Sequence, residues 1–327
     1  MGNIKNIGIL TSGGDSPGMN AAIRAVVRTG IYNGLDLFGI RRGYQGLIDG
    51  DIFKMQTTDV ANIIQRGGTI LKTARSKEFM TTEGMEKAFN QLKKHNIAAL
   101  VLMGGDGTFR GAAKFFETHS IPAVGIPCTI DNDLTGTDFT IGFDTAVNTA
   151  IDAIDKIRDT AEAHDRLFVV EVMGRDAGYI AINSGIACGA EDILIPEQIT
   201  NIDDMLARID NDERRKKTVH IIVVAEHEGY GGAKEVKEII SDRFPQLDVR
   251  ACVLGHIQRG GSPSYADRVM ASRLGFAAVN ALLSGKTQVM AGLVNGKVVL
   301  TPFNDIAKGD GYAMNSDMLQ MIRVLSV

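Results

Sequence analysis

Ile97-Ala98-Ala99-Leu100-Val101-Leu102-Met103-Gly104-Gly105-Asp106-Gly107-Thr108 is the stretch that decides the fold. An unbroken apolar run of strand length reads as a strand buried on both faces, as in parallel sheets. Glycines follow it at once. Paired glycines let bare backbone N–H groups approach an anion closely. An aspartate beside them repels phosphate unless a cation sits between. The turn therefore predicts a magnesium–nucleotide site at the carboxyl end of a parallel strand, where open α/β sheets bind ligands. A second copy, Gly13-Gly14-Asp15, follows the apolar run Ile7-Gly8-Ile9-Leu10.

Outward from these two turns, apolar runs alternate with amphipathic stretches, the pattern of an α/β fold with a mostly parallel sheet. In the first half, strands are expected at Ile7 to Leu10, Leu37 to Ile40, up to Met103, and Ala123 to Ile126. A helix opened by Pro17 carries Ala21, Ala22, Ile23, Val26 and Val27. Another, Asp144 to Asp159, sets Val147, Ile151, Ile154 and Ile157 on one face. A second set of strands is expected at Leu167 to Met173, Ile193 to Ile195, Val219 to Ala225 and Val249 to Leu254. Two βαβ sets in series predict two lobes with a cleft between them. No short repeat or low-complexity linker separates them.

Composition narrows the partners. A chain of 327 residues with mean hydropathy near zero has ample apolar content for a core and no run of membrane-spanning length. The net charge of −4 argues against a general nucleic-acid or membrane surface, so any anion site is a local focus of arginines. Cys128, Cys188 and Cys252 are odd in number and widely spaced, which suits a reducing cytoplasm better than a disulfide framework. The opening residues contain no signal-peptide core.

Further motifs carry chemistry. Gly13-Gly14-Asp15-Ser16-Pro17-Gly18-Met19-Asn20 breaks the dinucleotide fingerprint at Asp15 and the Walker A pattern at Met19, and it also reads as an ordinary strand-to-helix turn. Pro127-Cys128-Thr129-Ile130-Asp131-Asn132-Asp133 places two carboxylates two residues apart after an apolar run; one could lie beside a cation and one act as a base. Asp and Asn also favour plain turns. Arg166, Arg175, Arg250 and Arg259 stand in glycine-rich or polar clusters at strand ends, and Arg is suited to bidentate phosphate capture. Glu226 ends another apolar run and is a candidate hydroxyl partner.

Taken together, these segments resemble the bacterial ATP-dependent 6-phosphofructokinase family. The resemblance rests on Leu10 to Arg24, Gly104 to Thr108, Thr129 to Asp133, Glu171 to Arg175 and Leu254 to Pro263, and weakens after about Leu283. It implies two similar three-layer lobes: 1–141 plus 255–304 for ATP, and 142–254 plus 305–327 for the sugar phosphate. It also implies MgATP-dependent phosphorylation of fructose 6-phosphate at the 1-hydroxyl. Asp131 matches the family's general base. Asp106 and Asp133 match holders of Mg2+. Gly14, Arg75, Gly105, Gly107 and Thr108 match ATP contacts, and Arg175 a stabiliser of the transferring phosphoryl group. Thr129, Ile130, Met173, Gly174, Glu226, Ile257 and Gln258 match sugar contacts, with Thr129 also at the catalytic centre. Arg166, Arg250, His256 and Arg259 match holders of the 6-phosphate. Arg166 and Arg250 come from a neighbouring subunit in the family, which implies a homotetramer.

Departures from the family pattern are informative. Cys128 stands where the bacterial ATP enzymes usually have glycine; pyrophosphate-dependent relatives carry lysine there and aspartate at the position of Gly107, so Gly107 and the absence of lysine at 128 both favour ATP. Arg24, Arg28, Arg158, Gly189 and Glu191, with Arg215, Lys216 and Lys217, match an effector pocket for ADP or phosphoenolpyruvate. Thr57, Thr58 and Thr218 stand where the family has further anion contacts, so effector control is expected to be weakened or altered. A kinase with an NAD or lipid acceptor would lack a reason for the four downstream arginines. A silent nucleotide-sensing subunit would lack one of Asp106, Asp131 and Asp133, all of which are present.

Overall fold

The computed structural model describes residues 4–198, 201–214, 219–227 and 229–308, together with positions 318, 320, 321 and 324. The chain divides into two compact units. One comprises Met1–Thr145 and Arg259–Tyr312; the other comprises Ala146–Gln258 and Ala313–Val327.

The first unit contains β1 (Asn6–Thr11), α1 (Met19–Tyr32), β2 (Asp36–Ile40), α2 (Gly43–Asp49), β3 (Ile52–Met55), α3 (Thr82–Lys94), β4 (Ala99–Gly104), α4 (Asp106–His119) and β5 (Ala123–Pro127). Helix α5 (Phe143–Glu162) starts here and continues into the second unit. The second unit adds β6 (Leu167–Val172), α6 (Tyr179–Ala187), β7 (Asp192–Leu194), α7 (Ile202–Arg214), β8 (His220–Ala225), α8 (Ala233–Arg243) and β9 (Val249–Val253). The chain returns to the first unit with α9 (Tyr265–Leu283), β10 (Val289–Val294) and β11 (Lys297–Pro302).

The first sheet has the order β11-β10-β5-β4-β1-β2-β3. Its five inner strands are parallel, and an antiparallel strand closes each edge. Strand alternation splits the core into two layers. Ile7, Ile9, Val101 and Met103 face one layer with Ile23, Val27, Leu274 and Ala278. Leu10, Leu100 and Leu102 face the other with Leu47, Phe79, Phe109 and Phe115. Every residue of β4 is buried, and each large side chain there is worth about 1.5–3 kcal/mol of burial. This is why the strand reads as a continuous apolar run.

The second sheet has the order β7-β8-β6-β9, and all its pairings are parallel. Leu167, Val169, Ile222 and Val224 pack with Met205, Ile209, Val236 and Ile240. Among the described residues, no helix is long and apolar enough to cross a membrane. One boundary departs from expectation: α1 begins at Met19, not at Pro17. Gly18 takes φ +107°, a left-handed conformation that separates Pro17 from the helical run.

Candidate active site

Three adjacent parallel strands of the first unit, β5, β4 and β1, end at one level of the sheet. Thr11 pairs with Met103, and Gly104 with Pro127. The ladder runs on briefly through Ser12 N–H to Met103 O at 2.9 Å and Cys128 N–H to Gly104 O at 2.9 Å. The Gly13–Gly14, Gly104–Thr108 and Thr129–Asp133 turns therefore leave the same end of the sheet side by side. Thr108 ties the first two by donating to Ser12 O at 3.3 Å. A Cβ on Gly104 would come within 2.3 Å of Thr108 Oγ1 and 2.5 Å of Ser12 O, so the crossing requires glycine. Gly107 is different. A Cβ there would meet no atom within 4 Å. Nothing in the fold demands glycine at that point, and the open space is on the turn expected to receive phosphates.

Asp106 opens α4 and is buried, at the end of the helix where the macrodipole favours negative charge. Arg110, one turn on and exposed, pairs with it at 2.9 Å. Asp133 faces Lys308 at 3.8 Å. Among the described residues no group of three or more His, Cys, Asp or Glu is arranged to hold a metal alone. Mg2+ in phosphoryl-transfer sites is commonly held by one or two carboxylates plus substrate phosphates and water. Asp106 and Asp133 fit that donor set. Thr73 donates to Gly13 O at 2.7 Å and so ties the segment carrying exposed Arg75 to the first glycine turn.

The turn after β5 is held from within. Ile130, Asp131 and Asn132 are buried, and Asp131 N–H donates to Thr129 Oγ1 at 3.2 Å. Asn132 has φ +53°. Its Oδ1 accepts Thr140 N–H at 2.8 Å and the Thr140 hydroxyl at 3.2 Å, while its Nδ2 donates to Asp138 O. The Thr140 hydroxyl also donates to Thr129 O at 2.7 Å. Sequence reading treated Asn132 as a turn former and missed this clamp, because its partners lie six and eight residues away.

Arg259 is in this same unit. Its Nη1 donates to Asp15 O at 3.2 Å, and a Cβ on Gly14 would sit 2.7 Å from that nitrogen. An arginine expected at a sugar phosphate thus reaches the first glycine turn, and Gly14 has no side chain because the guanidinium fills the space.

In the second unit, Glu226 Oε1 accepts Arg175 N–H at 2.7 Å and Gly174 N–H at 3.2 Å. Arg175 has φ +61°, which projects it from the end of β6 as an exposed side chain. Gln258 is fully buried; its amide accepts Met173 N–H at 3.3 Å and donates to Gly255 O at 3.1 Å. It joins the two turns that carry Met173 and exposed His256 and Ile257. Arg166 and Arg250 are brought together by Asp248, each through its Nε at 2.7 Å. The Arg166 guanidinium first, then Arg250, holds the Asp248 carboxyl below the usual aspartate range. Asp248 escaped sequence reading; its place between the ends of β6 and β9 becomes visible only once those strands pair.

The residues matched to an effector pocket are distributed over both units. Arg24 and Arg28 lie one turn apart on α1, and burial, then Arg28, lowers the Arg24 pKa. Arg158 Nη2 donates to Cys188 O at 2.6 Å and Gly189 O at 3.3 Å at the end of α6. Glu191 is turned inward, accepting Ile221 N–H at 2.7 Å. Arg215, Lys216, Lys217 and Thr218 lie outside the described residues.

Strand-end glycine turns with buried acids in one unit and grouped arginines in the other define a phosphate-handling α/β protein. A family model described as Phosphofructokinase matches residues 6–282. The chain is 53% identical to the ATP-dependent 6-phosphofructokinase 2 of Bacteroides thetaiotaomicron over 327 residues, covering all of both chains. It is 55% identical over 324 residues to the ATP-dependent 6-phosphofructokinase of Halalkalibacterium halodurans, covering 99% of this chain and all of that one. Among solved structures, phosphofructokinase from Saccharomyces cerevisiae is similar with a TM-score of 0.86 and 35% identity. That match covers 98% of this chain and 46% of the yeast chain, so this chain spans just under half its length. The chain belongs to the phosphofructokinase family.

Proposed function

We propose that the chain transfers the γ-phosphoryl group of MgATP to the 1-hydroxyl of fructose 6-phosphate, giving fructose 1,6-bisphosphate and ADP in the cytoplasm. The observation that carries the donor choice is the open space at Gly107. An aspartate there would crowd and repel a nucleotide's inner phosphate; glycine leaves room for it.

Phosphoryl transfer depends mainly on positioning and charge stabilisation. Gly14, Gly105 and Thr108 offer backbone to the donor phosphates and Gly107 offers open space, with Arg75 on the segment that Thr73 ties to the first glycine turn. Asp106 and Asp133 would hold Mg2+, which neutralises phosphate charge when bound, and Arg110 and Lys308 are the cations these acids pair with otherwise. Asp131 accepts the proton of the attacking hydroxyl, with Thr129 and Ile130 fixing its turn. Arg175 faces the transferring group. Glu226 fixes the Gly174–Arg175 backbone through one carboxylate oxygen and has the other for a sugar hydroxyl. Met173, Gly174 and Ile257 contact the sugar, while buried Gln258 supports them. Arg166, Arg250, His256 and Arg259 hold the 6-phosphate. Arg166 and Arg250 act on a neighbouring subunit's substrate in a homotetramer. Arg24, Arg28, Arg158 and Gly189 are the residues we assign to an ADP or phosphoenolpyruvate site, with Arg215, Lys216 and Lys217 as further cations. Glu191 belongs to the same set, with one carboxylate oxygen engaged by Ile221 N–H.

Product analysis tests this reading. Phosphorus NMR of the protein with MgATP and fructose 6-phosphate should show fructose 1,6-bisphosphate and ADP appearing in equal amounts. ADP without a new sugar phosphoester would refute the acceptor assignment.

A further inference from the structure

A carboxylate with no place among the substrate-binding residues sits beside the turn that bears the base. Asp267, in the first turn of α9, is fully buried. Its Oδ1 accepts Gly142 N–H at 2.8 Å; its Oδ2 accepts Thr145 N–H at 2.9 Å and the Thr145 hydroxyl. The same hydroxyl oxygen accepts Ser264 N–H at 2.9 Å, which closes the arrangement back onto α9. Burial pushes the Asp267 pKa up to about 6, although these hydrogen bonds pull it down. A neutral Ser or Asn would cap a helix at lower desolvation cost. A carboxylate is needed only where two oxygens must receive three donors at once.

What it holds is the return limb of the Asp131 turn. Ile141 N–H donates to Pro127 O at 3.0 Å, and Ile141 bridges Cys128 as an added parallel pairing. Thr140, next in line, grips Thr129 and Asn132 on either side of Asp131. The limb is also wedged against the first glycine turn. A Cβ on Gly142, at φ +105°, would lie 2.5 Å from Ser16 Cβ, and one on Gly18 would lie 2.5 Å from Ile141 Cγ2. A shift of residues 140–145 therefore reaches the base turn through the hydrogen bonds of Thr140, while the first glycine turn backs the limb by packing alone.

We propose that Asp267 is a positioning residue for phosphoryl transfer: by pinning Gly142 and Thr145 it holds the turn that aims Asp131. The proposal rests on Asp131 as the base. A displacement of about 1 Å in such a group can cost about 10²-fold in rate.

The test is a double-mutant cycle on the full chain. Asp267→Asn keeps the size but offers only one acceptor, so Gly142 or Thr145 loses its partner. The expected result is a kcat lower by about 10–100-fold, with KM for ATP and fructose 6-phosphate within about 3-fold of the unaltered chain. In an Asp131→Asn background the same change should add little further loss, because the group it aims is gone. A merely structural Asp267 would lower activity by the same factor in both backgrounds, and that result overturns the proposal, as does unchanged kcat in folded Asp267→Asn. Should Asp267→Asn fail to fold, Thr145→Val applies the same cycle more gently, with an expected kcat loss of about 3–10-fold. Equal loss in both backgrounds, or none, again overturns it. Near-normal turnover in Asp131→Asn alone would instead sink the base assignment beneath it.

Discussion

Gly107→Asp is the substitution whose outcome the structure constrains most tightly. A Cβ at 107 meets no atom within 4 Å and the position lies in the first turn of α4, so the variant should fold normally. An acid in a helix's first turn is stabilising by about 0.3–1 kcal/mol, which sets the expected direction of any Tm change as upward. The cost falls on the nucleotide. A carboxylate about 5 Å from a bound phosphate oxygen, at an effective dielectric of about 20, is repelled by about 3 kcal/mol, or roughly two orders of magnitude in affinity. Steady-state assay should give a kcat/KM for ATP down about 10²-fold while KM for fructose 6-phosphate stays within about 3-fold. Raising salt should recover part of the loss, since the site is open to solvent. An unchanged kcat/KM for ATP in a folded variant would refute the placement of nucleotide phosphates beside Gly107. A drop in Tm of several degrees would refute the claim that the space there is empty.

Four further outcomes are expected. Asp131→Asn should lower kcat by about 10²–10⁴-fold while fructose 6-phosphate still binds, as read by ligand-induced thermal shift. Asn132→Ala removes two acceptor contacts to Thr140 and the donor to Asp138 O, and leaves alanine at φ +53°; chemical denaturation should show a loss of about 1–3 kcal/mol. The depressed pKa of Asp248 means that its pairing with Arg166 and Arg250 is present above the ordinary aspartate pKa and is lost only as pH falls through its own lower value. A carboxyl NMR titration should place its midpoint below that of an ordinary aspartate, and Arg166→Ala should move it upward; an ordinary midpoint in the unaltered chain would contradict the pairing. Velocity curves against fructose 6-phosphate should shift little with ADP or phosphoenolpyruvate, given Thr57, Thr58 and Thr218; a strong shift by either would show an intact effector site.

What could be read in advance follows from where each interaction's partners lie. β4 and β8 are buried along their whole lengths, so their sequences are plain apolar runs. The edge strands β3 and β11 went unread, because half-exposed edges carry mixed residues such as Ile52-Phe53-Lys54-Met55. The glycine turns were legible because their chemistry is local. The clamps were not. Asp267 acts on residues more than 120 positions away, and Asp248 matters to Arg166 only once β6 and β9 pair. Arg259 was legible as an anion-seeking arginine, but its contact with the first glycine turn spans 244 positions.

The account turns on the donor, and a coupled assay with fructose 6-phosphate as acceptor tests it most directly. The predicted result is turnover with MgATP and none above background when pyrophosphate replaces ATP. Pyrophosphate-supported turnover equal to or above that with ATP would contradict the reading of Gly107 and with it the proposed function.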